Sequence, residues 1–168
     1  LNFKGVKSLV IATAFFSNEG LRIVMQMAET YGLPKDKIKI YLSEDFSVDK
    51  PHELLEKANE FALVKIVTRK KLHAKVFLLK GEPDCHKVIF GSSNMTKGGF
   101  DTNIEFDQIK EISDIADFED FFNYIDYKSL EVNDDIIEYY ESISDTIEKL
   151  KKNQNALKKS LSGFIKSE

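Results

Sequence analysis

The stretch KLHAKVFLLK, residues 71–80, divides this sequence into two kinds of pattern. Before it, apolar runs alternate with amphipathic stretches. Residues 6–16 are apolar nearly throughout and rich in β-branched and aromatic side chains, as a strand buried on both faces would be. Ser17 and Asn18 then offer an N-cap, and Leu21, Val24, Met25 and Ala28 mark the buried face of a helix that Gly32 and Pro34 end. Residues 37–42 alternate as a second strand. A helix follows from Ser47, with Pro51 in its first turn and Leu54, Leu55, Ala58 and Phe61 on one face, and it leads into a third strand at 63–67. After Lys71 the strands come in quick succession, at 72–79, 87–91 and 103–109, with a turn at Gly81-Glu82-Pro83-Asp84. Strand–helix–strand units demand parallel crossovers, whereas neighbouring short strands pair antiparallel. An α/β domain with a mixed central sheet flanked by helices is therefore expected.

Beyond residue 112 the pattern becomes helical. Ile115, Phe118, Phe121, Phe122 and Ile125 lie on one apolar face, and Ile136, Ile137, Tyr140, Ile143, Ile147 and Leu150 on another. Leu157, Leu161, Phe164 and Ile165 suggest a third amphipathic piece. The expected division is a core over 1–110 and an acidic helical C-terminal extension over 111–168, packed on or beside it.

The net charge of −4 hides a partition along the 168 residues: residues 62–100 stand at +6 and residues 101–150 at −13. The basic stretch carries Lys65, Arg69, Lys70, Lys71, Lys75, Lys80, Lys87 and Lys97, and suits an anionic substrate. A single cysteine, Cys85, precludes an internal disulfide framework, so a reducing cytoplasm fits. No apolar run approaches a bilayer span, and the opening residues lack the parts of a signal peptide. Neither a membrane nor a cofactor is expected as a partner. A chain that opens on Leu1 is expected to be a fragment.

Three polar pairs repeat at a spacing of two: His73 and Lys75, Ser92 and Asn94, Asn103 and Glu105. Residues two apart share a face of a strand, so neighbouring strands can aim all three pairs at one point. The resulting set matches the needs of phosphodiester cleavage without a metal. His73 would attack phosphorus as neutral imidazole; Lys75 and Asn94 would hold phosphate oxygens, with Ser92 and Asn103 adding donors. Glu105 would bind the second ring nitrogen of His73, orienting it and stabilising its positive charge.

His73-Ala74-Lys75, Gly91-Ser92-Ser93-Asn94 and Asn103-Ile104-Glu105 together resemble the HxK, GSxN and NxE elements of the phospholipase D superfamily. With residues 12–17 and 91–99, the likeness extends to its single-motif nuclease branch, which includes phospholipase D-like restriction endonucleases and helicase-associated domains. The resemblance implies an endonuclease that cleaves DNA through a phosphohistidine. It also implies a homodimer with a shared site, because the chemistry uses two such motifs and this chain holds one, with no internal repeat. A larger multidomain, restriction or helicase setting is part of the same expectation. One departure stands out: the family's Asp five residues beyond the motif lysine is Lys80 here.

Other readings are weaker. His52 and His86 read as ordinary histidines. A zinc site from His73, Cys85 and His86 has poor ligand spacing, so no metal is expected. Gly91, Gly98 and Gly99 lack a nucleotide-binding fingerprint around them, and Phe118, Phe121 and Phe122 read as core or interface. Two rivals to a nuclease remain: a phospholipase or other small-substrate phosphodiesterase of the same superfamily, and a DNA-binding module without turnover.

Overall fold

A computed structural model of the chain describes residues 5–82 and 85–165, with side chains as far as Lys159. Seven strands form one sheet: β1 (Ser8–Thr13), β2 (Ile38–Ser43), β3 (Leu63–Val67), β4 (Lys75–Lys80), β5 (His86–Gly91), β6 (Asp107–Ile112) and β7 (Ser129–Glu131), in the order β6-β5-β4-β1-β2-β3-β7. β1, β2 and β3 are parallel, and every other neighbour is antiparallel. The mixed sheet is thus the one expected, with parallel crossovers before Lys71 and antiparallel neighbours after it.

The helices are α1 (Asn18–Tyr31), α2 (Pro51–Phe61), α3 (Ala116–Tyr127), α4 (Asp134–Ser142) and α5 (Ser144–Ile165). Strand alternation sorts the core into two layers. Ile11, Ile40, Leu42, Phe77 and Leu79 face the layer that contains Leu21, Val24, Leu54, Leu55 and Tyr140 from α1, α2 and α4. Ala12, Tyr41, Leu78 and Val88 face Phe122 and Ile125 of α3. Helix α1 begins where expected, with the Ser17 hydroxyl accepting from the N–H of Gly20, and stops at Gly32 in the left-handed conformation. Met25, assigned to its buried face, is exposed.

A polar anchor fixes α3 to the sheet. Asp126 accepts from the Tyr41 hydroxyl at 2.6 Å and from Lys65 Nζ at 2.8 Å. Burial opposes ionisation of this carboxyl, but the two donors and the Lys65 charge outweigh it and hold the group below its usual range.

Several boundaries differ from expectation. The segment after residue 112 is not wholly helical, since β7 pairs with β3 and closes that sheet edge. The apolar periodicity over 136–150 belongs to two helices that meet at Ile143. β4 starts at Lys75 and β6 at Asp107, so His73, Asn103 and Glu105 precede their strands. Asp84 lies outside the described residues, as do the side chains of Leu161, Phe164 and Ile165. Among the described residues no helix is long and apolar enough to cross a membrane.

Candidate active site

Strand direction explains why distant residues meet. Thr13 pairs with both Leu42 and Lys75, and Gly91 pairs with Asp107. The carboxyl ends of β1, β2, β3 and β5 therefore share one edge with the amino ends of β4 and β6. Backbone groups beyond the last rungs are free there to hold loops and ligands.

Lys75 is the first residue of β4, and its side chain is buried, with a relative exposure of 9%. Its ammonium lies 3.3 Å from Nε2 and 3.4 Å from Nδ1 of His73, and donates to the carbonyl oxygen of His73 at 3.0 Å. The imidazole is exposed while the cation beside it is held from below. Burial pulls the Lys75 pKa down from the ordinary lysine value, and the nearby charge of Glu105 partly offsets that. A partly desolvated cation with only weak partners is well suited to an anion.

The Ser92–Asn94 loop is tied down from two sides. The Phe15 N–H donates to Asn94 Oδ1 at 3.1 Å. A backbone N–H can only donate, so this bond orients the amide and leaves Nδ2, with its two hydrogens, for a ligand. Thr13, fully buried at the end of β1, accepts from the Met95 N–H at 3.1 Å. On the other side Asp107 accepts from the N–H of Ser93 at 3.1 Å and from its hydroxyl. Gly91 permits that approach: a Cβ there would lie 2.3 Å from both Asp107 Oδ1 and the Phe106 carbonyl oxygen.

Glu105 takes a different place from the one expected. Its carboxylate accepts from the Ser92 hydroxyl at 2.5 Å and from Asn103 Nδ2 at 3.0 Å, and among the described residues it makes no hydrogen bond to His73. The Ser92 hydroxyl also accepts from the Phe106 N–H at 2.9 Å. Ser92 and Asn103 thus position a carboxylate whose charge reaches Lys75. The structure joins His73 with Lys75, and Ser92 and Asn103 with Glu105.

No family model and no curated protein matches the chain. Solved structures do. A phospholipase D family member, Nuc, from Salmonella typhimurium superposes with a TM-score of 0.56 at 14% identity, over 77% of this chain and 84% of that one. NucT from Helicobacter pylori gives 0.54 at 16% identity, over 76% and 84%. A phosphatidylserine synthase from Haemophilus influenzae gives 0.63 at 14% identity, over 90% of this chain and 40% of that one. The chain has the phospholipase D fold.

Within the phospholipase D fold, the departure at Lys80 has a plain location. It sits at the far end of β4, roughly 16 Å from Lys75 at about 3.3 Å per residue, where its ammonium meets Glu119 of α3 at 2.6 Å. His86 pairs with Lys80 at that same far end, so the zinc reading from His73, Cys85 and His86 has no convergence behind it. Sequence reasoning overlooked Thr13, Phe15 and Asp107, which hold the loop. Asp107 carried a signal, standing two residues after Glu105 in the same alternation.

Proposed function

We propose that the chain is a phosphodiesterase that cleaves DNA through a phosphohistidine on His73, as a homodimer in which two copies complete one site. One observation carries the reading: a buried ammonium lies against an exposed imidazole at the open strand ends of a phospholipase D fold. The neutral ring of His73 forms a bond to phosphorus as the bond to the leaving oxygen breaks, and that oxygen takes a proton from His73 of the second copy. Water then attacks the phosphohistidine and gives its proton to the second imidazole, while the P–N bond breaks. Lys75 and the Asn94 amide take the non-bridging oxygens, whose positions gain charge in each step. Positive charge from Lys75 does here what a divalent ion does elsewhere, so chelator should leave the reaction intact.

Dimerisation is supported by apolar surface around the site. Ile104 is fully exposed and Phe106, two residues on, is exposed too, as are Phe15 and Phe100 in the segments that follow the ends of β1 and β5. Apolar side chains left exposed at one edge of a sheet suit a protein interface. DNA as substrate is supported by the basic 62–100 segment, while the likeness to a phosphatidylserine synthase gives the lipid rival its footing. Plasmid and single-stranded DNA, incubated in excess chelator with the parent and with His73→Ala, test the proposal. Cleavage by the parent alone is expected. Cleavage that requires magnesium, or that survives the substitution, overturns it. Turnover of a phospholipid with none of DNA would establish the lipid rival.

A further inference from the structure

Immediately beside His73 lies a patch that brings lysines and a tyrosine together over an apolar floor that includes Leu72 and Phe121. Lys70, Lys71, His73, Tyr124 and Lys128 line one shallow depression of about 270 Å³. Tyr124 and Tyr127 stand three residues apart on α3, with exposures of 48% and 70%. Residues at this spacing are neighbours on a helix surface. Three cations interleave with the two rings: Lys128 Nζ lies 4.8 Å from the Tyr127 centroid and 5.8 Å from that of Tyr124, Lys70 Nζ 5.7 Å from Tyr124, and the Arg69 guanidinium 5.6 Å from Tyr127.

Two lysines near this end of the sheet have anionic partners. Lys65 pairs with Asp126, and Lys71 with Asp45. Among the described residues, Arg69, Lys70 and Lys128 pair with no carboxylate, although the chain is acidic overall. Partly exposed phenol rings flanked by cations without carboxylate partners match the two things a single strand presents, unpaired base faces and a phosphate backbone. A duplex hides those faces in its own stack. Both tyrosines stand on α3, and the Arg69-Lys70 segment leads along the chain to His73.

We propose that Tyr124 and Tyr127, with Arg69, Lys70 and Lys128, form a nucleotide-stacking subsite that guides single-stranded nucleic acid into the His73 pocket. The inference deepens the reading of the chain as a DNA phosphodiesterase, and rests on it for the choice of nucleic acid. Binding of a fluorescein-labelled single-stranded oligonucleotide and of the matching duplex would be measured by anisotropy, using the His73→Ala background so that no strand is cut. Adding Tyr124→Ala and Tyr127→Ala should weaken single-strand binding roughly tenfold for each ring and change duplex binding less than twofold. Tyr124→Phe with Tyr127→Phe should bind like the background, since a phenyl face stacks as well. Equal weakening for both nucleic acids, or no weakening at all, overturns the subsite. Cleavage by the chain carrying His73 is scored separately. Stacking-dependent binding without cleavage would leave the subsite and remove the nuclease, whereas His73-dependent cleavage indifferent to the tyrosines would do the reverse.

Discussion

Gly20→Ala should impair the candidate site through the backbone, although Gly20 touches no ligand group. A Cβ at this position would lie 2.0 Å from the Met95 carbonyl oxygen and 2.7 Å from both the carbon of that carbonyl and Met95 Cγ. Contacts under 3.0 Å are essentially never sustained, so Met95 and α1 must separate by about 1 Å. Neither side yields easily, because the Ser17 N–H donates to that same Met95 oxygen at 3.1 Å and Thr13 holds the Met95 N–H. Overpacking against backbone costs about 3 kcal/mol, at the upper end of its usual range. Alanine returns up to about 1 kcal/mol of helix propensity. A net loss of about 2 kcal/mol corresponds to a fall in Tm of roughly 4–8 °C for a chain of this size. Asn94 adjoins Met95 and moves with it, and a misplacement of about 1 Å costs on the order of a hundredfold in rate. Scanning calorimetry and a cleavage assay under the same conditions check both figures. A Gly20→Ala protein with parental Tm and parental rate would show that α1 and the Met95 segment are not in such contact.

Other expectations rest on separate groups. Lys75→Met should raise Tm while abolishing cleavage, because it removes a cation whose burial is unfavourable and whose charge the reaction uses; a fall in Tm would contradict that. Since the folded pKa of Lys75 is depressed, its proton is lost earlier than in the unfolded chain, and the charge penalty fades as pH rises through the folded value. The alkaline limb of kcat/KM should accordingly lie below 10.5, the ordinary lysine value, and a limb at or above it would contradict the burial of this group. Asp126 has a lowered pKa, so its contribution is present above the unfolded pKa and lost as pH falls through the folded one. Asp126→Asn should cost about 1 kcal/mol at neutral pH after discounting for partial exposure, and denaturant melts at neutral and strongly acid pH should converge with the parent at the acid end. Lys80→Asp, which introduces the Asp of the motif this sequence resembles, should leave the cleavage rate within about twofold because of its distance from Lys75, and lower stability slightly by setting two carboxylates together at Glu119.

Much of this molecule could be read from its sequence because local pattern and tertiary need coincide. β3 spans 63–67, the bounds of its short β-branched run, and α1 begins and ends on its cap residues. The HxK spacing was legible because residues two apart in extended chain face one way, even with His73 just ahead of β4. Glu105 was harder. It precedes β6, where strand alternation no longer determines direction, and the Ser92 hydroxyl and Asn103 amide capture its oxygens. β7 carries almost no signal of its own, being three residues of which Leu130 and Glu131 are exposed; it exists because β3 presents a free edge. The break at Ile143 is hidden for a related reason, since the apolar period runs through the junction of α4 and α5 uninterrupted. Tyr124 and Tyr127 escaped notice because two of their three cations, Arg69 and Lys70, come from a loop more than fifty residues earlier.

Direct capture of the covalent intermediate tests the central claim most sharply. A single-stranded oligonucleotide labelled on its internal phosphates would be mixed with excess protein in chelator, quenched within the first turnover in alkali, and digested for mass spectrometry. The account predicts a phosphoryl-linked nucleotide on His73, absent from His73→Ala. Label on another residue, or complete cleavage in a burst with no adduct at any quench time, would contradict it.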